Sequence, residues 1–129
     1  MNKNLSHNME DYLEAILIIQ QEKGNVRVKD IAEKLECSMP SVSSAVKKLH
    51  KKGFVNHYRY NFVELTLFGI QVAEKILERH TVLKNFLSEV LGIKAEIAER
   101  DACLMEHVIS QATFQELKNF MSYKENRVD

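Results

Sequence analysis

Two clusters of side chains in this sequence have the chemistry and the spacing of metal ligands. Asp11 and Glu14 lie three residues apart in a predicted helix, so both carboxylates point the same way. Cys103, Glu106 and His107 have i, i+3, i+4 spacing in another predicted helix. Carboxylate, imidazole and thiolate groups together are the ligands that bind first-row divalent ions. A transition-metal site is therefore one interpretation of these clusters.

A sixth candidate ligand, His80, lies on the otherwise apolar stripe of a predicted long helix. Each of the two clusters, and His80 as well, also has an ordinary structural interpretation. Asp11 and Glu14 would suit a solvated helix face, and a histidine in an apolar stripe is often a core residue with a backbone partner. Cys103 is more unusual, because a free thiol seldom lies on a fully solvated face. From spacing alone, both interpretations stay open.

A different chemistry is indicated by the charge pattern between Cys37 and Val63. This segment contains no Asp or Glu, although the whole chain has 18 acidic and 18 basic residues. It begins with a predicted helix whose outer side carries hydroxyl groups and lysines, which can approach phosphates without repulsion. We therefore predict DNA contacts from this helix and from Arg59 and Tyr60 in the following turn. The predicted contacts from the helix are Ser38, Pro40, Ser41, Ser43, Ser44, Lys47, Lys48 and Lys51. The alternative for the lysines is a solvated helix end, where cations suit the helix dipole.

The elements that carry the first half can be predicted from apolar periodicity and from the positions of Gly and Pro. Helices are expected from Met9 to Glu22 and from Val28 to Leu35, and a third is capped by Ser38 and ends at Lys52 and Gly53. The short turn between the second and third helices predicts a helix-turn-helix. Two β-rich runs, 54–58 and 62–66, flank residues 59–61 and predict a hairpin, the wing of a winged helix.

The second half is predicted to be entirely helical. One long helix is expected from Leu67 to Leu91, closed by Gly92, and two more from 94 to 111 and from 113 to 124. Their apolar residues suit packing against a second copy of the chain. The predicted fold is therefore mainly α: an N-terminal winged helix-turn-helix with a small β-hairpin wing (1–66), joined by a long helix to a C-terminal helical dimerisation domain (67–129).

The composition limits which classes of protein this chain can belong to. The 129 residues are 45% hydrophobic and 28% charged, which is typical of a globular chain. No run approaches the roughly 18 apolar residues of a membrane span, and the N-terminus does not have the pattern of a signal peptide. Cys37 and Cys103 are far apart and lack CxxC spacing, so we expect reduced thiols and a cytoplasmic protein.

Three segments carry a resemblance to a known family. They are Met9-Glu-Asp-Tyr-Leu-Glu-Ala-Ile, Glu78-Arg-His-Thr-Val-Leu and Asp101-Ala-Cys-Leu-Met-Glu-His-Val-Ile-Ser. With the winged helix, they resemble the diphtheria-toxin-repressor-like family of iron- and manganese-dependent repressors. The resemblance covers nearly the whole chain, and the length is similar to the shorter manganese-transport-regulator branch, which lacks the SH3-like domain of the iron branch.

The resemblance implies a set of metal ligands. Cys103 is typical of the iron branch, whereas Asp11 is typical of the manganese branch, so the resemblance points to Mn(II) or Fe(II). Zn(II) and Co(II) are alternatives, because thiolate favours them. Lys84 stands where the iron branch has an acidic ligand of its second site, so that site is expected to be absent, although a bridging carboxylate could still hold two ions. The implied ligands are Asp11, Glu14, His80, Cys103, Glu106 and His107.

The resemblance also implies a function. A metal-loaded homodimer would bind double-stranded operator DNA and repress genes for metal uptake, without an organic cofactor and without enzymatic activity. The metal would hold the first helix against the fourth and fifth and thereby fix the separation of the two recognition helices. Phe62 stands where wings of this family commonly have glycine, so the turn of the wing is expected to differ.

Three other functions compete with this one. A redox-sensing winged helix would use Cys103 as an oxidisable thiol, but neighbouring acidic residues oppose thiolate formation. A metalloenzyme would need a substrate pocket or a Gly-rich phosphate loop, and the sequence has no motif for either. A winged helix that binds only protein would have a surface that is insensitive to salt.

Overall fold

The computed structural model describes residues 5–126, so the outermost parts of the predicted domains, 1–4 and 127–129, lie outside the described residues. Within this range the chain forms six helices and one small sheet, which confirms the predicted mainly α fold with a winged helix-turn-helix and a C-terminal helical part. No helix in residues 5–126 has both the length and the apolar character needed to cross a membrane. The helices are α1 (His7–Lys23), α2 (Val28–Leu35), α3 (Met39–Lys51), α4 (Leu67–Asn85), α5 (Ala95–Met105) and α6 (Gln111–Asn126), and the strands are β1 (Val26–Arg27), β2 (Val55–His57) and β3 (Phe62–Leu65).

The chain divides into two compact units that meet within α4, one up to Lys75 and one from Ile76 onward. The domain boundary expected between residues 66 and 67 stays a prediction. In the first unit, α2 packs against α1 and α3. Glu36 takes a left-handed conformation between α2 and α3, and the Ser38 hydroxyl accepts the Ser41 N–H at 3.2 Å to start α3. The turn of the helix-turn-helix thus lies between these two caps, and the predicted cap at Ser38 is confirmed.

The wing is part of a three-stranded antiparallel sheet with the order β1–β3–β2. Strands β2 and β3 form the predicted hairpin, but β1 was not predicted, because two residues are too few to show alternation. Val26 of β1 is opposite Val63, and Arg27 lies over the Phe62 ring with its guanidinium carbon 4.5 Å from the ring centroid. Strand β1 therefore secures the wing to the end of α1.

The connection from the wing to α4 depends on Thr66 and Gly69. The Thr66 hydroxyl accepts the Gly69 N–H at 3.0 Å and donates to the Gly53 carbonyl at 2.7 Å. Gly69 cannot carry a side chain without displacement of the backbone, because the Phe54 carbonyl oxygen fills the space that a Cβ would need. The hairpin is thus fixed to the first turn of α4.

The second unit contains the rest of α4, a π-helical turn at Phe86–Val90, α5 and α6. Residues 67–91 were predicted as one α-helix, whereas α4 ends at Asn85 and the π-helical turn follows it. Gly92, with φ of 70°, then reverses the chain toward α5. The buried core consists of Leu83, Leu87, Ala98 and Ala102, against which Phe86, Ile93, Met105, Ile109 and Leu117 pack.

Helix α5 is shorter than predicted. It ends at Met105 rather than at residue 111, and residues 106–110 form a turn. Two contacts explain the early end: Arg79 donates to backbone carbonyls in the turn, and the Ser110 hydroxyl accepts the Thr113 N–H at 3.1 Å and caps α6. Helix α6 begins at Gln111, two residues before the predicted start.

Candidate metal centre and DNA-binding surface

The end of α5 brings three of the predicted ligands together. Cys103 lies in the last turn of the helix, Glu106 is its C-cap, and His107 follows in the turn. The prediction that all three lie within one helix was therefore wrong for Glu106 and His107. The Cys103 sulfur, one Glu106 oxygen and one His107 ring nitrogen nevertheless lie within 4.8 Å of one another.

Arg79 of α4 shapes the turn that holds Glu106 and His107. Its side chain is buried, and its Nε donates to the Glu106 carbonyl oxygen at 3.1 Å. Its two terminal nitrogens donate to the Ile109 carbonyl and, at 3.1 Å, to Oε1 of Gln111. These carbonyls follow the end of α5 and have no partner within the helix, so the guanidinium satisfies them. No pattern in the sequence indicates this role, because Arg79 resembles an ordinary basic residue next to His80.

His80, one residue later in α4, lies between two carboxylates. Its Nδ1 is 3.2 Å from Oε2 of Glu106, and its Nε2 is 2.9 Å from Oε1 of Glu99. The other Glu106 oxygen, Oε1, is 3.6 Å from Nε2 of His107. Glu106 is fully buried, at 0% exposure, so its charge is poorly solvated. The second unit thus surrounds one buried carboxylate with two imidazoles.

Glu99 of α5 is not among the predicted ligands. Its Oε2 accepts from the Lys84 ammonium at 3.1 Å, and the side chain is 54% exposed. Partial burial raises the pKa of this carboxyl, but the hydrogen bonds from His80 and Lys84 and their positive charge hold it below the ordinary value of 4.5. Glu99 is therefore ionised at neutral pH and paired with a cation of this chain.

The donors of this unit suit a divalent first-row ion. A buried carboxylate, two imidazoles and a thiol, each with a ligand atom close to Glu106, are the ligand types such ions take. Burial without an added cation leaves the Glu106 charge costly, and a bound cation would offset that cost. We conclude that the residues fit a metal ion.

The other two predicted ligands, Asp11 and Glu14, lie in α1 of the first unit. Asp11 is half-buried and Glu14 is 9% exposed, and the neighbouring Glu10 is 2% exposed. A run of acidic side chains with so little exposure is unusual for a solvated helix face, which was the ordinary interpretation of this cluster. Their membership of one centre with the second-unit residues stays a prediction.

The predicted DNA-binding residues of α3 are exposed on its outer face. Ser38, Pro40, Ser41, Ser44, Lys47, Lys48 and Lys51 are exposed, and Ser43 is half-buried. The opposite face buries Val42, Ala45, Val46 and Leu49 against the first unit. Pro40, Ser41, Ser44 and Lys48 line one groove together with Ser6 and Asn8 at the start of α1. A second groove joins the lysines to His50 and His57. Ser6, Asn8 and His57 were not predicted to lie beside these residues, because the grooves join segments that are distant in the sequence.

The tip of the wing presents the two residues predicted to contact DNA. Arg59 and Tyr60 are exposed, and Tyr60 is 83% exposed. Tyr60 and Asn61 adopt positive φ, 63° and 60°, in the conformation that glycine usually supplies. Phe62 lies in β3 under Arg27, so the wing turns without a glycine.

Comparison with known protein families identifies two matches that together cover most of the chain. Residues 4–63 match the family model described as the iron dependent repressor, N-terminal DNA binding domain. Residues 66–127 match the model described as the iron dependent repressor, metal binding and dimerisation domain. The two matches correspond to the winged helix with its grooves and to the helices around Glu106.

Individual relatives agree with these matches. An HTH-type transcriptional regulator of Methanocaldococcus jannaschii is 37% identical over 125 residues, which are 96% of this chain and 100% of that protein. The HTH-type transcriptional regulator MntR of Listeria welshimeri is 35% identical over 121 residues, 94% of this chain and 84% of that protein. A solved manganese-dependent transcriptional repressor in complex with manganese has a TM-score of 0.81 and 28% identity. That comparison covers 89% of this chain and 53% of the solved chain, so this chain spans about half of that relative's length.

Proposed function

This chain belongs to the iron dependent repressor family, as a metal-dependent DNA-binding transcriptional repressor and not an enzyme, and we propose that it represses genes for divalent metal uptake when Mn(II) or Fe(II) is bound. The observation that carries the proposal is the fully buried Glu106 carboxylate with an imidazole beside each oxygen and the Cys103 sulfur close by. A bound cation would offset the cost of burying this negative charge.

The residues that would hold the ion are Glu106, the three candidate ligands around it and two residues from α1. Asp11 and Glu14 are proposed as the α1 ligands because their low exposure and their spacing on one helix face suit inward-facing carboxylates. A bound divalent cation supplies the positive charge that offsets these acids. The complete proposed set is Asp11, Glu14, His80, Cys103, Glu106 and His107.

The ligand positions suggest how metal binding would change DNA affinity. Asp11 and Glu14 belong to the unit that carries α3, whereas the other four belong to the helical unit. Without a cation, like charges on Glu14, Asp11 and Glu106 would repel one another and favour looser units. A tenfold to hundredfold gain in DNA affinity requires only about 1.4–2.8 kcal/mol of coupling.

The proposed DNA contacts are the exposed residues of α3 and of the wing tip. The hydroxyls at the start of α3 (Ser38, Ser41, Ser43, Ser44) and Pro40 would face base edges in the major groove, while Lys47, Lys48 and Lys51 would contact phosphates. Arg59 and Tyr60 would contact the backbone or the minor groove. Because one recognition helix reads only a few base pairs, we propose that a homodimer binds two half-sites of double-stranded operator DNA in the cytoplasm.

The proposed metal is chosen from the mixture of donors. Carboxylates from Asp11, Glu14 and Glu106 suit Mn(II) and Fe(II), and the relative solved with manganese supports this choice. The Cys103 thiolate suits Fe(II), Co(II) and Zn(II). We propose Mn(II) or Fe(II) as the physiological signal, with Co(II) and Zn(II) as ions that can also be bound.

A DNA-binding titration tests the proposal. A duplex would first be selected from a random pool by the Mn(II)-loaded protein, and its affinity then measured by fluorescence anisotropy with increasing Mn(II), anaerobic Fe(II), Co(II) or Zn(II). We expect Mn(II) and Fe(II) to raise the affinity at least tenfold, because bound metal adds coupling energy to the DNA complex. Cys103→Ala and Glu14→Ala should require much higher metal concentrations for the same gain.

The matched control is Glu22→Ala, which removes an exposed acid from the last turn of α1 and should respond like the parent. If Cys103→Ala and Glu14→Ala also respond like the parent, the ligand assignment is wrong. If no metal changes DNA binding but peroxide abolishes it, the redox-sensing alternative replaces the proposal.

A further inference from the structure

The imidazole of His80 faces two carboxylates, and a neutral imidazole has only one unprotonated nitrogen for a metal. Nδ1 lies 3.2 Å from Glu106 and Nε2 lies 2.9 Å from Glu99. The two acids differ in their surroundings. Glu106 is fully buried near the sulfur of Cys103 and the ring of His107, whereas Glu99 is half-exposed and already contacts the Lys84 ammonium.

This difference decides which nitrogen belongs to the ion. The Glu99 carboxylate uses one oxygen for Lys84 and the other for Nε2 of His80, so both oxygens are engaged by groups of the chain. An ammonium ion next to this carboxylate also repels a second cation on that side of the ring. On the Glu106 side, by contrast, the neighbouring groups within the second unit are the Cys103 sulfur and the His107 ring, which are groups of the kind that bind metal ions.

We infer that Glu99, held by Lys84, is a positioning residue that accepts the Nε2 proton of His80 in a hydrogen bond and so makes Nδ1 the metal-binding nitrogen. Glu99 does not touch the ion itself. A carboxylate on the far nitrogen of a metal-binding histidine fixes the tautomer and the ring orientation and makes the ligating nitrogen more basic. This inference rests on the metal centre proposed above and assigns a role to a residue outside the ligand set.

The first test reads the tautomer of His80 in metal-free protein by long-range ¹⁵N–¹H NMR, in a buffer alkaline enough to make the ring neutral, so it does not depend on metal binding. We expect the parent to hold the proton on Nε2. Glu99→Ala should populate both tautomers, and Glu99→Gln should keep the Nε2 proton, because the amide oxygen still accepts a hydrogen bond. A parent protein with the proton on Nδ1 would overturn the inference.

The second test measures Mn(II) affinity by electron paramagnetic resonance for the same proteins. Removal of a hydrogen-bond partner of this kind costs about 10–100-fold in metal affinity, so Glu99→Ala should weaken Mn(II) binding by that factor. Glu99→Gln should lie between Glu99→Ala and the parent, since it keeps the hydrogen bond and loses the charge. Glu96→Ala, an exposed acid on the same helix, is the matched control and should bind like the parent.

The outcomes separate this inference from the proposed function. If His80→Ala loses Mn(II) affinity while Glu99→Ala keeps the affinity of the parent, the metal centre stands and the role of Glu99 is wrong. If the parent itself binds no Mn(II), Fe(II), Co(II) or Zn(II), the proposed function fails, and the tautomer measurement still decides the hydrogen bond. Circular dichroism of each variant shows whether an affinity loss reflects unfolding, and an unfolded Glu99→Ala leaves Glu99→Gln to decide.

Discussion

Arg79 is the buried charge on which the geometry of the candidate centre most depends. Its guanidinium contacts the Glu106 and Ile109 carbonyls and the Gln111 side chain, and it lies 5.1 Å from the centroid of the Phe114 ring. The guanidinium holds five donors in a rigid planar fork, whereas a lysine ammonium has three donors on a flexible stem. The turn that carries the ligands Glu106 and His107 is therefore held by the Arg79 guanidinium, which does not itself bind metal.

Replacement of Arg79 should loosen the turn that carries Glu106 and His107. In Arg79→Met the buried carbonyls of the turn lose their donor, which costs about 1–3 kcal/mol of unfolding free energy for each unsatisfied group. We expect Mn(II) affinity to fall at least about tenfold, because ligand orientation is lost. Calorimetric titration with Mn(II) and urea unfolding of the metal-free protein measure the two effects.

Two further variants show whether the effect of Arg79→Met comes from the lost hydrogen bonds. Arg79→Lys keeps the charge without the fork, so it should lie between Arg79→Met and the parent. Arg100→Met removes an exposed arginine from α5 and should change neither quantity. Parental Mn(II) affinity in a folded Arg79→Met would show that the turn does not depend on this side chain.

The contrast between His80 and Arg79 shows what a sequence can predict about a site. His80 was found because an imidazole interrupts an apolar stripe, and Cys103, Glu106 and His107 because their types and spacing are those of ligands. Arg79 and Glu99 carry no such signal. The acceptors of Arg79 are mostly backbone atoms about 30 positions away, and Glu99 acquires its role only from the packing of α5 against α4.

The start of α2 is held by one acidic side chain in its first turn, Asp30. Asp30 accepts the Arg27 N–H at 2.9 Å and the Lys23 ammonium at 2.8 Å. Burial of the carboxyl raises its pKa, but these hydrogen bonds and the charges of Lys23 and Lys29 outweigh burial and hold the pKa below its ordinary value of 3.8. Asp30 thereby links the end of α1, strand β1 and the start of α2.

The stabilisation by Asp30 should depend on pH with a definite sign. Because the pKa is lower in the folded protein than in the unfolded chain, the stabilisation is complete above the ordinary value and is lost as the pH falls through the folded value. At neutral pH, Asp30→Asn should lower the unfolding free energy by about 0.5–1.5 kcal/mol, since a neutral amide oxygen is a weaker acceptor for the Lys23 ammonium and the Arg27 N–H. The difference from the parent should shrink in increasingly acidic buffers, as measured by urea unfolding.

The exposed acid Glu33 on the same helix provides the control. Glu33→Gln should change stability little at any pH, because a solvated acid without a cap interaction contributes little. A gap between parent and Asp30→Asn that stays constant or widens in acid would contradict the assigned cause.

Element boundaries were predictable where a local interaction sets them and not where a distant one does. The start of α3 follows from Ser38 and the residues directly after it, and the hairpin follows from its β-rich runs. The end of α5 is set by Arg79 of another helix, so periodicity extended that helix too far. The wing turn places Tyr60 and Asn61 at positive φ; Asn adopts this conformation readily, but Tyr rarely does, and no glycine at residue 60 indicates it in the sequence.

The neutral net charge of the chain conceals a local separation of charges. The acid-free segment from Cys37 to Val63 presents Lys47, Lys48 and Lys51 on one exposed helix face. DNA binding should therefore draw its electrostatic energy from this face, because the protein has no excess of positive charge elsewhere to attract phosphates.

The salt dependence of DNA binding tests this distribution. Removal of one lysine–phosphate interaction should reduce the slope of log affinity against log salt by about 0.9, so a dimer with Lys47→Gln in both copies should have a slope smaller by about 1.8. Lys51→Gln should behave in the same way, and both should weaken binding to selected and to random duplexes alike, since phosphate contacts carry no sequence information. Lys124→Gln, an exposed lysine of α6, should leave the slope unchanged.

The measurement is anisotropy over a series of salt concentrations at saturating Mn(II). Equal slopes for all four proteins would mean that α3 does not contact the DNA backbone, and the DNA-binding surface would then have to lie elsewhere.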